Sequence, residues 1–350
     1  MQKVKAVINL SNIRQNASTF LARSKRLCAV VKANAYGHGA EEIALALSDI
    51  ADTFATALID EAIAIRHAVC GKDILVFAPP LTDEDAYEIA VNGFVGSVTS
   101  LYSARIFARV SQKYRLPIRV HLKVNTGMNR YGMRLQELGK VCKLFSEQPQ
   151  IKVEGIYSHL HTCTFEQAEM QRKKFVRAVE LCKAYFPTLI AHLSATYGAM
   201  LGKQYAFDMT RVGLGLYGYL PIARKEESVV WVPDLKKGMQ VFAPVMESRL
   251  YADGGAGYGI PKPLKKGERV YLCRYGYADG FLRSCENGSE LASAHLNNLC
   301  MDACVCKGEA KRGEYLPVML DAEQTAKKTG TISYEVLCAA TRRAEFVYEK

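Results

Sequence analysis

The chain has 350 residues, of which 49% are hydrophobic, and it carries a formal net charge of +11 at pH 7. This length and apolar content can bury a sizeable core and indicate two domains, and no stretch is apolar for long enough to form a membrane-spanning helix. The lysines and arginines are scattered over polar helix faces and form no basic tract, which indicates a solvated surface that can attract a phosphorylated or carboxylate ligand and argues against a nucleic-acid partner.

The N-terminal segment, residues 1–16, lacks the apolar core of a signal peptide, so we expect a cytoplasmic protein. We expect its eleven cysteines to be reduced, and most lie in apolar runs where a thiol behaves as a small hydrophobe. Residues 300–306, CMDACVC, bring three cysteines close together, but no histidine is near and the spacing is not that of a zinc site. We therefore expect no metal there, and interpret Cys304 and Cys306 as alternate positions of a strand.

Short apolar runs alternate with amphipathic helical patterns between residues 28 and 220. The candidate strands are residues 28–33, 54–59, 73–78, 94–99, 118–124, 153–160, 189–195 and 210–218. The candidate helices are residues 41–50, 60–69, 83–91, 101–114, 135–147 and 166–185. Eight strands in alternation with helices are what a parallel barrel requires. The sequence therefore predicts an α/β fold whose N-terminal domain, residues 1–230, is a (β/α)8 TIM-like barrel.

The alternation stops at residues 222–238, where a charge run is followed by a proline and a glycine. Strand-like pieces separated by turn residues come next, at residues 239–252, 268–277, 298–306 and 315–320, and one helical segment follows at residues 333–343. We therefore expect a second, mainly β domain over residues 231–350.

Polar side chains stand at or near the ends of the predicted barrel strands, where barrel active sites form. Lys32 directly follows the most apolar strand near the N-terminus. Burial there would lower the pKa of the amine and make it a nucleophile toward carbonyl groups. The other polar residues of these strands are Lys123, His159, His192, Thr196 and Arg211. Their convergence on one mouth of the barrel predicts an active site.

The segment AVVKANAYGHG, residues 29–39, matches without a gap the cofactor-lysine motif of the fold-type III pyridoxal-phosphate enzymes, and specifically of the alanine racemases. The resemblance covers nearly the whole chain, from residue 6 to residue 338. It implies that Lys32 carries pyridoxal 5'-phosphate and that Tyr36 contacts the phosphate. The alternative is a lysine that extends from the barrel mouth into solvent, which the full motif disfavours.

The segment LKVNTGMNRYG, residues 122–132, resembles a second motif of the same family. The resemblance implies that Arg130 holds the phenolic oxygen of the cofactor and helps to position the substrate carboxylate. Lys123 corresponds to a lysine that is often carbamylated in the family, although an unmodified cation remains an alternative. Asn125 stands where the family usually has an aspartate.

Two further barrel segments resemble the family around the cofactor ring. GIYSHLHT, residues 155–162, implies that His159 lies near the ring, and TRVGLGLYG, residues 210–218, implies that Arg211 faces the pyridine nitrogen. An arginine cannot give that nitrogen a proton, because its pKa is above about 12. The resemblance therefore implies that Arg211 limits side reactions of the cofactor.

The resemblance also implies a set of phosphate contacts. The backbone amides of Gly213 and Leu214 would bind the phosphate, as would Tyr334. In HLSAT, residues 192–196, Ala195 and Thr196 stand where the family usually has Asn and Ser. The hydroxyl of Thr196 can still donate a hydrogen bond to phosphate.

The second domain resembles the family at the residues that act on the substrate. GAGYGIP, residues 255–261, matches the segment that carries the tyrosine base, Tyr258. Tyr277 resembles a tyrosine that lines the substrate entrance, and the backbone amide of Met301 would face the substrate carboxylate. The residues flanking Met301 depart from the family pattern, which leaves the local strand geometry open.

These residues together imply an alanine racemase that uses two bases, Lys32 on the D face of the substrate and Tyr258 on the L face. Positive charge from a network of Tyr258, His159 and Arg211 would lower the pKa of the tyrosine, which is about 10 when free. By resemblance, the tyrosine enters the barrel of the other subunit, so we expect a homodimer with shared sites. The product, D-alanine, would supply peptidoglycan.

Particular residues of this sequence disfavour three alternatives within related folds. A serine or broad-specificity racemase is disfavoured by Tyr334 and Lys123, and a decarboxylase by residues 255–261. A non-catalytic pyridoxal-phosphate carrier resembles the barrel alone, whereas about 120 residues follow the barrel here, the usual size of a separate domain.

Overall fold

The structure is a computed structural model that describes residues 2–161, 164–221, 229–251, 265–283 and 299–350. The chain forms two compact units, a barrel unit of residues 14–33 and 40–235, and a second unit of residues 1–13, 34–39 and 236–350. These units share most of their residues with the predicted domains, 1–230 and 231–350. They differ at residues 1–13 and 34–39, which group with the C-terminal residues, and at residues 231–235, which group with the barrel.

The chain begins with strand β1 (Lys5–Asn9) and helix α1 (Leu10–Leu21). Eight parallel strands then form the barrel unit: β2 (Leu27–Val30), β3 (Thr53–Thr56), β4 (Asp73–Val76), β5 (Val95–Val98), β6 (Ile118–Lys123), β7 (Ile151–Tyr157), β8 (Ile190–His192) and β9 (Thr210–Val212). Their order in the sheet is β8-β7-β6-β5-β4-β3-β2-β9, so the last strand pairs with the first. The predicted (β/α)8 barrel is confirmed, and each candidate strand overlaps one of these eight.

Helices alternate with these strands, and all of them except the first and the last were predicted from the apolar spacing. They are α2 (Lys32–Gly37), α3 (Ala40–Ala46), α4 (Ile59–Ile65), α5 (Asp83–Val91), α6 (Leu101–Tyr114), α7 (Leu135–Ser146), α8 (Phe165–Lys183) and α9 (Thr196–Leu201). The predicted bounds of α5 and α6 coincide with the observed ones because Thr82 and Ser100 cap them. The side chain of each accepts a hydrogen bond from the amide three residues on.

The segment that follows Lys32 is a turn of left-handed helix. Ala33, Asn34, Ala35 and Tyr36 all have φ between 52° and 54°. This conformation costs a non-glycine residue roughly 1–2 kcal/mol, so surrounding contacts must hold it. The Glu61 carboxylate accepts a 2.7 Å hydrogen bond from the amide of Ala33. Such strained backbone is concentrated at functional sites.

The second unit is built on a mainly antiparallel sheet. Its elements after the barrel are β10 (Met239–Leu250), β11 (Arg269–Cys273), β12 (Cys304–Lys307), β13 (Tyr315–Met319), α10 (Ala322–Thr329), α11 (Ser333–Ala339) and β14 (Glu345–Glu349). The order is β12-β11-β10-β1-β14, with β13 also paired to β10. The predicted mainly β character is confirmed, and Cys304 and Cys306 are the two buried positions of β12. Over the residues that the structure describes, no helix has the length and apolarity needed to cross a membrane.

Candidate active site

The polar residues expected at the barrel mouth lie at or next to the carboxyl ends of their strands. Lys32 comes two residues after β2, Lys123 is the last residue of β6, and His159 comes two residues after β7. Thr196 begins the short helix after β8, and Arg211 is the middle residue of β9. Parallel strands bring their carboxyl ends to one face of a barrel. The structure therefore places these five residues on the face where barrel enzymes have their active sites.

Arg211 is the most constrained of these side chains and is only 3% exposed. Its Nη1 donates to the carbonyl oxygen and the Nδ1 of His192, at 2.8 and 3.0 Å. Its Nη2 donates to the carbonyl oxygens of Ser158 and Leu193, at 2.5 and 3.1 Å. These acceptors use all four Nη hydrogens. Within the described ranges no residue accepts a hydrogen bond from Nε, so that donor is left for a ligand.

The guanidinium of Arg211 remains a cation at neutral pH. Burial lowers its pKa to about 10. Its acceptors are carbonyl oxygens and imidazole nitrogens, which fix its plane without neutralising its charge.

His159 is held neutral in the middle of positive charge. Burial, and then the charges of Arg211, Lys123, Arg130 and Lys32, lower its pKa well below the ordinary value. Its Nδ1 lies 3.5 Å from Nη2 of Arg211. No carboxylate is among the charges that shift its pKa in the described part of the chain. A site with this charge distribution favours an anionic ligand.

Lys123 is a buried amine rather than a surface cation. It is 5% exposed, and its Nζ lies 4.5 Å from the centroid of the Tyr157 ring. Burial, and then the charges of Arg211 and Arg130, lower its pKa well below the ordinary value. A lowered pKa increases the share of the unprotonated amine, which is the nucleophilic form.

The side chain of Asn125 stabilises the loop after β6. This is the position where the family that the sequence resembles usually has an aspartate. The Oδ1 of Asn125 accepts hydrogen bonds from the amides of Gly127 and Asn129, at 3.0 and 3.2 Å. An asparagine oxygen is an acceptor like a carboxylate oxygen, so the turn survives the difference. Arg130 follows this turn as an exposed side chain, with its guanidinium carbon 5.3 Å from the centroid of the Tyr131 ring.

Three of the residues expected at the phosphate, Thr196, Gly213 and Leu214, lie in the barrel unit. The hydroxyl oxygen of Thr196 accepts a 3.1 Å hydrogen bond from the amide of Gly215. The short 3-10 turn Leu214–Tyr217, which Gly213 precedes, contains that amide. No residue in the described segments accepts the hydroxyl hydrogen of Thr196, so it can be donated to an anion.

Two predicted phosphate contacts meet in the second unit. The rings of Tyr36 and Tyr334 have their centroids 5.8 Å apart. Burial raises the pKa of both phenols. Both are therefore neutral hydroxyl donors at neutral pH.

Two of the residues expected to meet the substrate, Tyr277 and Met301, lie in the same unit. Tyr277 and Met301 are exposed, and the amide of Tyr277 donates to the carbonyl oxygen of Cys300 at 3.2 Å. Arg343 joins the two segments, donating to Asp279 and Asp302 at 2.8 Å each. Tyr258 lies outside the described residues.

Sequence reasoning did not find Arg343 or the buried imidazole of His121. Arg343 and Asp279 are 64 residues apart, so no local sequence pattern predicts that they form an ion pair. His121 lies two residues before Lys123 and therefore on the same side of β6, a signal that could have identified it.

Comparison with known proteins matches both parts of the chain to domains of one enzyme family. A family model described as the alanine racemase N-terminal domain matches residues 8–221, and one described as the alanine racemase C-terminal domain matches residues 239–348. The alanine racemase of Listeria monocytogenes is 30% identical, over 94% of this chain and 92% of its own length.

Solved structures give the same assignment. The alanine racemase of Clostridium difficile 630 has a TM-score of 0.90 at 26% identity, covering 100% of this chain and 96% of that one. The alanine racemase of Bartonella henselae, solved with covalently bound pyridoxal phosphate, has a TM-score of 0.85 at 25% identity and covers 100% of both chains.

Proposed function

This chain belongs to the alanine racemase family, and we propose that it interconverts L-alanine and D-alanine by a two-base mechanism with pyridoxal 5'-phosphate as its cofactor. The observation that carries the proposal is the arrangement of ionisable side chains at the barrel mouth. Lys32 stands at the carboxyl end of β2, and its charge is among those that depress the pKa of His159, together with Arg211, Lys123 and Arg130.

The residues present fit this cofactor. The cationic site favours a phosphorylated, anionic ligand, and the hydroxyl hydrogen of Thr196 is left to donate beside the Gly213 and Leu214 backbone. The Nε–H of Arg211 fits an aromatic ring nitrogen, which accepts hydrogen bonds. Tyr36 and Tyr334, as neutral phenols, are suitable donors to a phosphate. We therefore assign cofactor binding to these residues, to Lys32 as the covalent attachment, and to Arg130 and His159.

The cofactor would stabilise the negative charge that develops at Cα, and the protein would supply the groups that move protons. When bound, pyridoxal 5'-phosphate withdraws electrons from Cα and stabilises the carbanion left by proton removal. Lys32 would move a proton at its Nζ on the D face, and Tyr258 would move one at its phenolic oxygen on the L face. The positive charge near Tyr258 would come from Arg211, because His159 is held neutral.

Arg211 would act by keeping its own proton. Its pKa of about 10 means that it donates a hydrogen bond from Nε without transferring the proton at neutral pH. Arg211 would thereby leave the ring nitrogen of the bound cofactor unprotonated, which would limit side reactions.

Substrate recognition would combine Arg130 with Tyr277 and the Met301 amide of the C-terminal domain. We propose that Tyr258, Tyr277 and Met301 enter the site of a partner subunit, so that the active form is a homodimer. Carbamylation of Lys123 would place a carboxylate near Arg130. Supply of D-alanine for peptidoglycan and a cytoplasmic location stay predictions.

A racemisation assay tests this function. The purified protein with pyridoxal 5'-phosphate should convert L-alanine and D-alanine to the same mixture, and serine much more slowly. Lys32→Arg keeps the charge but should abolish the activity. Equal rates with serine would favour a broad-specificity racemase, and no racemisation of any amino acid would contradict the proposal.

A further inference from the structure

Two buried histidines inside the barrel have no part in the function proposed above. His121 on β6 is 5% exposed and His192 on β8 is fully buried. The Nε2 of His192 lies 3.0 Å from the Nδ1 of His121, and the Nδ1 of His192 lies 3.0 Å from Nη1 of Arg211. Three side chains from β6, β8 and β9 therefore form one hydrogen-bonded row.

Hydrogen-bond chemistry fixes the direction of this row. An arginine can only donate, so the Nδ1 of His192 must accept. A neutral His192 then carries its hydrogen on Nε2 and donates it to the Nδ1 of His121. His121 must in turn carry its own hydrogen on Nε2. Each imidazole is thus restricted to one of its two neutral tautomers.

The surroundings keep both imidazoles neutral. Burial lowers the pKa of His121 to about 3, with Asp73 acting to raise it and Arg119 and Arg211 to lower it. Burial also lowers the pKa of His192 well below its usual value, and the charge of Arg211 lowers it further. A protonated His192 would direct an N–H at Arg211, which offers no acceptor.

The neighbouring strand β7 is shaped to hold the row. Tyr157 stacks on His192 with an interplanar angle of 8° and ring centroids 5.1 Å apart. Gly155, the partner of His121 in the sheet, leaves room for its ring, since a Cβ there would lie 2.7 Å from the His121 Nε2. A larger residue at this position would displace the imidazole.

The row ends at the opposite face of the barrel. His121 lines a cavity of 640 Å³ that is formed by the amino ends of the strands, with Asp73 and Arg119 among its walls. A polar cavity of that size admits water, which can accept the last hydrogen of the row. Barrel interiors are usually filled by branched apolar side chains, so two histidines here need a reason beyond packing.

We propose that His121 and His192 are positioning residues, a one-directional relay of hydrogen bonds that holds the Arg211 guanidinium in plane and charged. The proposal rests on the function assigned to Arg211 above, since only that function makes the direction of its Nε–H matter. A carboxylate in place of His192 would orient the guanidinium but neutralise it. The neutral relay orients it and preserves its charge.

The direct test is the tautomeric state of the two histidines in the holoenzyme. Nitrogen-15 NMR of histidine-labelled protein distinguishes Nε2–H, Nδ1–H and imidazolium forms, and His121→Phe and His192→Phe assign the two signals. Both should be Nε2–H, unchanged between pH 6 and 8. An Nδ1–H or imidazolium signal from either residue would overturn the proposal.

A second variant tests the consequence without deleting either imidazole. Gly155→Ala should displace the His121 ring and break its hydrogen bond with His192. His192 should then populate both neutral tautomers, and kcat should fall with little change in KM. We expect a loss of about tenfold to a hundredfold, the effect that removing an orienting partner has at metal sites. The matched control is Gly139→Ala in α7, where an added Cβ would have no atom within 4 Å. This variant should change neither kcat nor the His192 tautomer.

An unchanged kcat and an unchanged His192 tautomer in Gly155→Ala would contradict the relay. The two proposals can fail separately. Correct tautomers in a protein that does not racemise alanine would contradict the proposed function, while racemisation with the wrong tautomers would contradict only the relay.

Discussion

At the scale of single residues, the fold holds several buried histidine side chains in their neutral forms. The pKa of His121 is lowered by burial to about 3 and that of His38 to about 4. His159 and His192 are lowered well below their usual value for the same reason. An unfolded histidine has a pKa near 6.5, so the unfolded chain takes up protons in mild acid that the folded chain does not.

This difference predicts the pH dependence of stability. Below about pH 6.5 the unfolded state binds more protons, so the free energy of unfolding should fall as the pH falls, and it should be flat above that value. Denaturation midpoints between pH 5 and 8 measure the effect before most carboxylates titrate. His121→Phe should reduce the slope, whereas the exposed His67→Asn should not reduce it. A midpoint constant from pH 8 to 5 would contradict neutral buried histidines.

Lys123 carries a second prediction at this scale. The unprotonated form of its amine should react with carbon dioxide, forming an N–C bond and releasing a proton, because the resulting carboxylate gains nearby cations. Protein equilibrated with carbon-13 bicarbonate should show one carbamate carbonyl signal, which Lys123→Met should remove. Persistence of the signal in that variant, or its absence from the unmodified chain, would contradict the assignment.

At the scale of elements, the turn after Lys32 stores backbone strain that glycine should relieve. Ala33 is exposed and has a φ of 52°. Ala33→Gly should therefore stabilise the fold by up to about 1 kcal/mol, the relieved strain less the entropy cost of glycine. Ala64 is exposed in the right-handed helix α4, and Ala64→Gly should instead destabilise by about 1 kcal/mol. Chemical denaturation of both variants measures this contrast, and equal losses would contradict the left-handed turn.

The same elements show how far sequence reasoning reaches. The barrel strands were predictable because each is a short apolar run between helical patterns. Strand β1 was not, because its partners β10 and β14 lie more than 200 residues away and five residues carry little local signal. The left-handed turn could not be predicted from the sequence, for a different reason. Of its four residues only Asn34 belongs to a type that favours positive φ.

Some features of the candidate active site could likewise be predicted from the sequence, and others could not. Lys32, His159, Thr196 and Arg211 could be located because strand ends and family motifs mark them. The hydrogen bond between His121 and His192 could not, because it joins residues 71 positions apart. Packing across the barrel brings them together.

At the scale of the whole molecule, the proposed homodimer makes each active site from two chains. Mixing a Lys32→Ala chain with a Tyr258→Phe chain tests this arrangement. A mixed dimer would contain one site with both bases and one with neither. Random pairing of the two chains should restore about a quarter of the original activity, because half of the dimers are mixed and each has one intact site. No recovery after refolding together would place both bases within one chain.

The central claim is that two bases act on opposite faces of the substrate. Exchange of the Cα hydrogen in deuterated water, measured with Tyr258→Phe, tests it most directly. The variant should lose racemisation by about 10²- to 10⁴-fold or more, the usual contribution of a general acid or base. It should still exchange the hydrogen of D-alanine through Lys32, while exchange from L-alanine collapses. Equal residual exchange from both enantiomers would mean that one base serves both faces, which would contradict the account.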